Sequence, residues 1–216
     1  MLFSVIVPEH NSAEFMRKGL DSIAAQSFRD YELIIVCDSC TDNTAEIAKS
    51  YDKRVPELTV LEVEYGRCGL TRNRGLDIAR GEYVIFMDDD DWFASEYAFE
   101  LIAGRTAKRP DVVALGFMAR DFCEQPGLQC FYSHTANLSP TMRNWAAPWT
   151  KAWRRDFIGG HRFPDIKHSD DLPFTREMME IAESMEVIYA PLYYYNYMRV
   201  GSIQHKLKTG ELEPIE

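Results

Sequence analysis

Cysteine is scarce. Five are spread over 216 residues, an odd number, and a chain long enough to bury one sizeable core has no need of disulfide staples, which fits a reducing compartment. Basic residues are the minority. Against 34 acidic residues stand 24 lysines and arginines, a net charge of -10, which would repel a polyanion unless the bases cluster on one face and so argues against nucleic acid as a partner. The opening MLFSVIVPEHN lacks a basic leader and a long apolar segment, and no later run reaches the ~18 apolar residues of a membrane span. The expectation is a cytoplasmic protein without a transmembrane segment, any membrane association being peripheral. Internal repeats, low-complexity tracts and clean linkers are also missing, which leaves one domain over 1–216 with 46% hydrophobic residues to build its core.

Apolar period supplies the elements. Residues 2–8 form a compact apolar strand, and 13–26 repeat apolar positions at helical spacing (Phe15, Leu20, Ile23, Ala24), with Asn11 and Ser12 as cap candidates. Strands follow at 31–37, 58–63, 82–87 and 111–118, alternating with helices at 42–51, 70–79 and 96–106. After Arg120 the pattern loosens around Pro126, Gly127, Pro140 and Pro148, and a helix over 170–184 precedes a strand over 186–190. Alternation of this kind implies an α/β fold with a mostly parallel central sheet and helices on both faces. The polar end after Ile203 reads as a mobile tail.

Ligands of an open parallel sheet bind beyond the carboxyl ends of its strands. Four successive strands lead to polar residues: Glu9, His10 and Asn11; Asp38, Ser39 and Asp42; Tyr65, Gly66 and Arg67; then the four aspartates of YVIFMDDDDWF. Any one such loop is ordinary, since βα loops are polar anyway. Four together indicate a composite site. Along an extended strand end, Asp88 and Asp90 would share one side and Asp89 and Asp91 the other, so that one pair faces an ion. Hard oxygen ligands suit Mg2+ or Mn2+, which take one or two carboxylates and fill their shell with water and phosphate oxygens. Arg72 and Arg74 near a helix start would supply the anion-binding half. One carboxylate, Asp90 or Asp91, is expected only to cap the helix near Ser95.

Other motifs have plainer readings. Cys37 and Cys40 make a CxxC after a strand, but there is no second CxxC, and Cys68, Cys123 and Cys130 lack zinc-ligand spacing. Trp145, Trp149 and Trp153 recur every four residues; Pro148 interrupts a helix there, and core packing is the expectation for Trp145 and Trp153, with Trp149 open between core and sugar stacking. His161, His168 and His205 are expected at the surface.

The ordered series SVIVPEHN, IIVCDSCTDNT, GLTRNRGLDIARGEY and FMDDDDW resembles the nucleotide-sugar-binding half of family 2 glycosyltransferases with the GT-A fold. That likeness covers 3–93. WTKAWRRDFI, HSDDLPF and YYYNYMRVGSI are similar to the acceptor half of bacterial polysaccharide-type members, which divides the chain into a donor half (1–93), an acceptor-side half (94–203) and a tail (204–216). The resemblance implies an inverting transferase that moves a sugar from a nucleotide-diphosphate donor, UDP-linked by preference, to a hydroxyl of a glycan or lipid-linked glycan, with Mn2+ or Mg2+. It places the donor among Pro8, His10, Asn11, Asp38, Arg67, Arg72, Asp88, Asp89 and Arg199, with Asp38 on the uracil. Asp90, with Asp88, would ligate the metal. Asp171 would be the general base and Asp170 its nearest competitor, with Asp165 behind them; His205 follows a segment that closes over the donor in similar proteins. Two positions depart from the pattern: Cys37 stands where an aspartate is usual, and His10 where a tyrosine is usual. The alternatives are a catalytically silent nucleotide-sugar-binding subunit and, behind it, a metal-dependent nucleotidyltransferase, which would leave HSDDLPF without a role.

Overall fold

The computed structural model describes residues 1–119, 147–196, 199–202, 205–206 and 209–211. Trp145, Cys123 and Cys130, and most of the expected tail, lie outside them. Each early strand has apolar residues on both faces, as a covered sheet requires. In β1 (Phe3–Glu9), β2 (Tyr31–Asp38) and β4 (Tyr83–Phe86), alternate side chains divide between two cores. Phe3, Val5, Leu33, Ile35 and Ile85 meet α1 (Met16–Ala24), α2 (Thr44–Lys49) and α4 (Ala98–Thr106) on one side. Ile6, Ile34, Val36 and Phe86 meet α3 (Cys68–Ile78) and α6 (Asp171–Ile181) on the other.

With β3 (Leu58–Val63), β5 (Trp92–Phe93), β6 (Val112–Ala119), β7 (Lys151–Arg154) and β8 (Met185–Tyr195), the sheet has eight strands in the order β3-β2-β1-β4-β7-β6-β8-β5. β7 and β5 run against the other six. The early strands and helices lie close to their expected places. In the second half, where the sequence pattern loosens, the stretch of recurring tryptophans holds a 3-10 turn (Pro148–Thr150), the antiparallel β7 and a short α5 (Arg155–Ile158), and the last strand, expected over 186–190, is 11 residues long. Its length follows from two pairings, with β6 through a bulge at Gly116 and with β5 at Tyr193 and Tyr194.

Strand order reverses between β1 and β4, the usual place for a ligand crevice in such a sheet. Two glycines let the surroundings close in. A Cβ on Gly75 of α3 would lie 2.5 Å from Ile6 Cγ2 of β1, and one on Gly19 of α1 would lie 2.6 Å from the Asp91 carbonyl. Gly19 therefore seats the aspartate run against α1.

Candidate functional site

The loop after β1 is tied to the loop after β2. Asn11, held at φ 48 where asparagine is tolerated, accepts hydrogen bonds at Oδ1 from Thr41 N (2.8 Å) and Asp42 N (3.3 Å). Asp42 in turn accepts from Ala13 N (3.2 Å) and from the Thr44 hydroxyl (2.6 Å), and Ser12 N donates to that hydroxyl (2.8 Å). Among the described residues neither Asn11 nor Ser12 caps α1 through its side chain, because Asn11 is spent across the two loops and the Ser12 hydroxyl donates to Glu9. Pro8 is buried in β1, in register with Val36. His10, exposed beyond it, bonds through Nδ1 to the Asp38 carbonyl (2.7 Å).

Asp38 closes β2 and receives five donors: Ser39 Oγ (2.9 Å), Tyr65 N (2.7 Å), Gly66 N (2.9 Å), Arg67 N (3.0 Å) and Thr71 Oγ1 (2.8 Å). A carboxylate offers about four lone-pair sites. Burial opposes its charge, but these bonds outweigh it and hold the carboxyl below the usual range. In this structure Asp38 thus fixes the turn into α3. Arg67 reaches outward, 3.5 Å from Asp165.

The aspartate run is a turn, not an extended strand end. β4 stops at Phe86, Asp91 N donates back to the Asp88 carbonyl (3.3 Å), and strict alternation of side chains is lost. Asp91 has the structural role, but not as a helix cap: fully buried, it accepts from the Tyr193 hydroxyl (2.7 Å) and Asn196 N (2.8 Å), pinning the end of β8. Tyr193 also accepts from Asp88 N (3.2 Å). Asp88 pairs with Arg72 (2.7 Å), and Asp90 with Arg199 (2.6 Å), whose guanidinium lies 4.0 Å over the Phe15 ring.

Negative charge remains in excess here. Burial and then the charge of Asp90 push Asp89 well up; burial raises Asp90 against the pull of Arg199; burial and the charges of Asp90 and Asp88 raise Asp91. Glu9, buried at the end of β1, is pushed up by burial and by Asp89 and Asp90. Among the described residues no three His, Cys, Asp or Glu side chains surround a common point. Two carboxylates from one turn in a field short of positive charge still fit Mg2+ or Mn2+, whose remaining ligands come from water and a phosphate.

Arg72 joins this turn to the second half. Its Nη1 donates to Asp170 (2.8 Å) and its Nη2 to Asp88 (2.7 Å), and the guanidinium is buried. Arg74 is not brought to the same place, being two residues and about 200° further round α3. Asp171 opens α6 beside the bridge without joining it, and burial, with the charges of Asp170 and Asp88, raises its carboxyl despite Arg72. A raised carboxyl is what a general base working near neutrality needs.

Trp149 and Trp153 are core residues. Trp149 is buried and stacks on Tyr193 at 4.6 Å, while Trp153 is fully buried beside Phe174. His161 is at the surface with Glu177, but His168 is buried, contrary to expectation, because the segment before α6 folds onto α3. Cys37, Cys40 and Cys68 are free thiols, and burial pushes Cys37 up to about 12, which makes it inert.

Residues 4–147 match the model of the family described as glycosyl transferase family 2. The chain belongs to that family. The putative glycosyltransferase EpsH of Bacillus subtilis is 29% identical over 95% of this chain and 63% of EpsH. An uncharacterized glycosyltransferase of Haemophilus influenzae is 30% identical over 97% of this chain and 84% of that protein. The crystal structure of Staphylococcus aureus TarS 1-349 in complex with UDP-GlcNAc superposes with a TM-score of 0.80 at 26% identity, covering 95% of this chain and 61% of the other. The fold is GT-A. The chain spans roughly three-fifths of EpsH (63%) and of the TarS fragment (61%).

Three residues at or beside this candidate site escaped the sequence reading. Glu9 was named only as part of a polar loop, although a carboxylate ending a fully buried, mostly apolar strand is a signal. Tyr193 lay hidden in a run of three tyrosines. Lys151, buried at the start of β7, donates to the Ala147 carbonyl (3.1 Å) and the Thr150 hydroxyl (2.8 Å); burial lowers it to about 7, with Asp171 opposing the shift. A lysine between two tryptophans gave no periodic sign of being buried.

Proposed function

We propose that this chain is an inverting, metal-dependent glycosyltransferase that moves a sugar from a nucleotide-diphosphate donor, UDP-linked by preference, to a hydroxyl of a glycan or lipid-linked glycan. The observation that carries this reading is the position of Arg72, in contact with Asp88 of the aspartate turn and Asp170 of the acid pair at α6. It supports reading two stretches from different halves of the chain as parts of one site. A single GT-A domain with a donor half and an acceptor-side half accommodates that arrangement, and the UDP-GlcNAc complex of the similar TarS fragment supports the choice of donor.

The donor would lie beyond β1 and β4, the base against His10 and the loop held by Asn11 and Asp38, the ribose near Asp88 and Asp89. Asp90, with Asp88, would hold Mn2+ or Mg2+, which neutralises charge developing on the leaving diphosphate. Arg199, now on Asp90, would turn to the diphosphate, since a guanidinium fork suits phosphate as well as carboxylate. Asp171 takes the proton of the acceptor hydroxyl as its oxygen attacks the anomeric carbon from the face opposite the departing nucleotide, which inverts that centre.

The test is a screen of UDP-sugars with Mn2+ and glycan acceptors, read by free UDP and by NMR of the product's anomeric proton. Released UDP with inversion is expected. Free diphosphate would indicate nucleotidyl transfer, and tight UDP binding without turnover a silent subunit.

A further inference from the structure

The segment leading into α6 is docked on α3 by three separate devices. Asn73 exchanges two hydrogen bonds with the backbone of Phe163, donating from Nδ2 to its carbonyl (2.8 Å) and accepting from its N–H at Oδ1 (2.9 Å). Gly69 leaves the space that Asp170 needs: a Cβ there would lie 3.0 Å from Asp170 Oδ2 and 3.0 Å from Phe163 Cβ. Arg72 then spans from Asp170 to Asp88, its guanidinium 5.4 Å over the Phe163 ring. Among the described residues its Nε is buried without a hydrogen-bond partner. Ser169, immediately before the acid pair, sits at φ 61, a left-handed backbone that a serine keeps only when its surroundings hold it there.

We propose that Asp170 is a positioning residue for the donor: through Arg72 it sets the orientation of Asp88, so that occupancy of the donor side and order at the start of α6 are coupled. This rests on the donor-site reading above. The physical reason is the burial of the guanidinium. With Asp170 gone, one arm of a buried cationic fork loses its carboxylate, which is costly, and the fork relieves that cost by turning, which carries Asp88 with it. Coupling of this kind is reciprocal, so ligand at Asp88 must also favour the arrangement that presents Asp171.

The test uses UDP with MnCl2 as the probe and needs no acceptor. Calorimetry on Asp170→Asn should show UDP affinity weakened by roughly 5–150-fold, the usual span of such coupling, while Asp171→Asn one residue away leaves it within about twofold, since a base acts in the transition state. Asp170→Glu should recover part of the loss. In the unaltered protein, UDP with Mn2+ should slow amide exchange across 165–176, and Arg72→Met should abolish that protection. A folded Asp170→Asn protein that binds UDP normally would overturn the coupling alone. If the unaltered protein binds no UDP at all, the donor-site reading falls and the coupling with it.

Discussion

Two acidic loops flank β1 at the same end of the sheet and have opposite electrostatics. At the end of β2, Asp38 meets five protein donors and its carboxyl is held low. After β4, burial raises Asp89 and Asp90, helped by the charge of Asp88 on both and of Asp90 on Asp89, and among the described residues Arg72 and Arg199 pair with Asp88 and Asp90. A carboxylate saturated by its own chain builds the site. One whose charge its own chain offsets only in part is suited to a cation, a phosphate-bound metal or a proton. The same division separates Asp170, tied to Arg72, from Asp171, raised and outside the bridge.

Substitutions that treat the two classes alike would break this comparison. The largest effect is expected at Asp171. In Asp171→Asn, turnover should fall by about 10²–10⁴-fold, the typical contribution of a general base, with melting temperature and UDP affinity nearly unchanged; full turnover in the folded variant would move the base to Asp170 or Asp165. At Asp38 the expected loss is of stability. Asp38→Asn breaks the network at the start of α3 and should cost ~1–3 kcal/mol, the price of buried polar groups left unsatisfied, measured by denaturant unfolding. Because its folded pKa lies below the unfolded value of about 3.9, its contribution is present above that value and disappears as pH falls through the folded one. The variant's acid unfolding curve should therefore lack that part of the slope. Unaltered stability together with lost UDP affinity would instead return Asp38 to the role of a base ligand.

Much of the first half was legible before any coordinates, for a physical reason. β1, β2 and β4 are buried on both faces, so their sequences are near-continuous apolar runs, and the polar loops after them stand out by contrast. Where legibility failed, the deciding contact was distant or the backbone left its regular period. Arg72 was recognisable as a site residue, but its partner Asp170 is 98 residues away. The aspartate alternation assumed an extended backbone, and the chain turns there because Gly19 and Tyr193 hold it. The tryptophans recur every four residues without naming an element: Trp149 is in a 3-10 turn and Trp153 in an antiparallel strand. A four-residue spacing of large apolar side chains fits either when both faces are buried.

The central claim is that the aspartate turn is built for a cation that arrives with a nucleotide diphosphate. The most direct measurement is a calorimetric titration of UDP into the unaltered protein and Asp90→Asn, each with MnCl2 and with chelator. UDP binding should depend on Mn2+ in the unaltered protein, and Asp90→Asn should bind as weakly with the metal as the unaltered protein does with chelator. Equal affinity in all four titrations would contradict the account and leave Arg199, not a metal, as the positive charge belonging to Asp90.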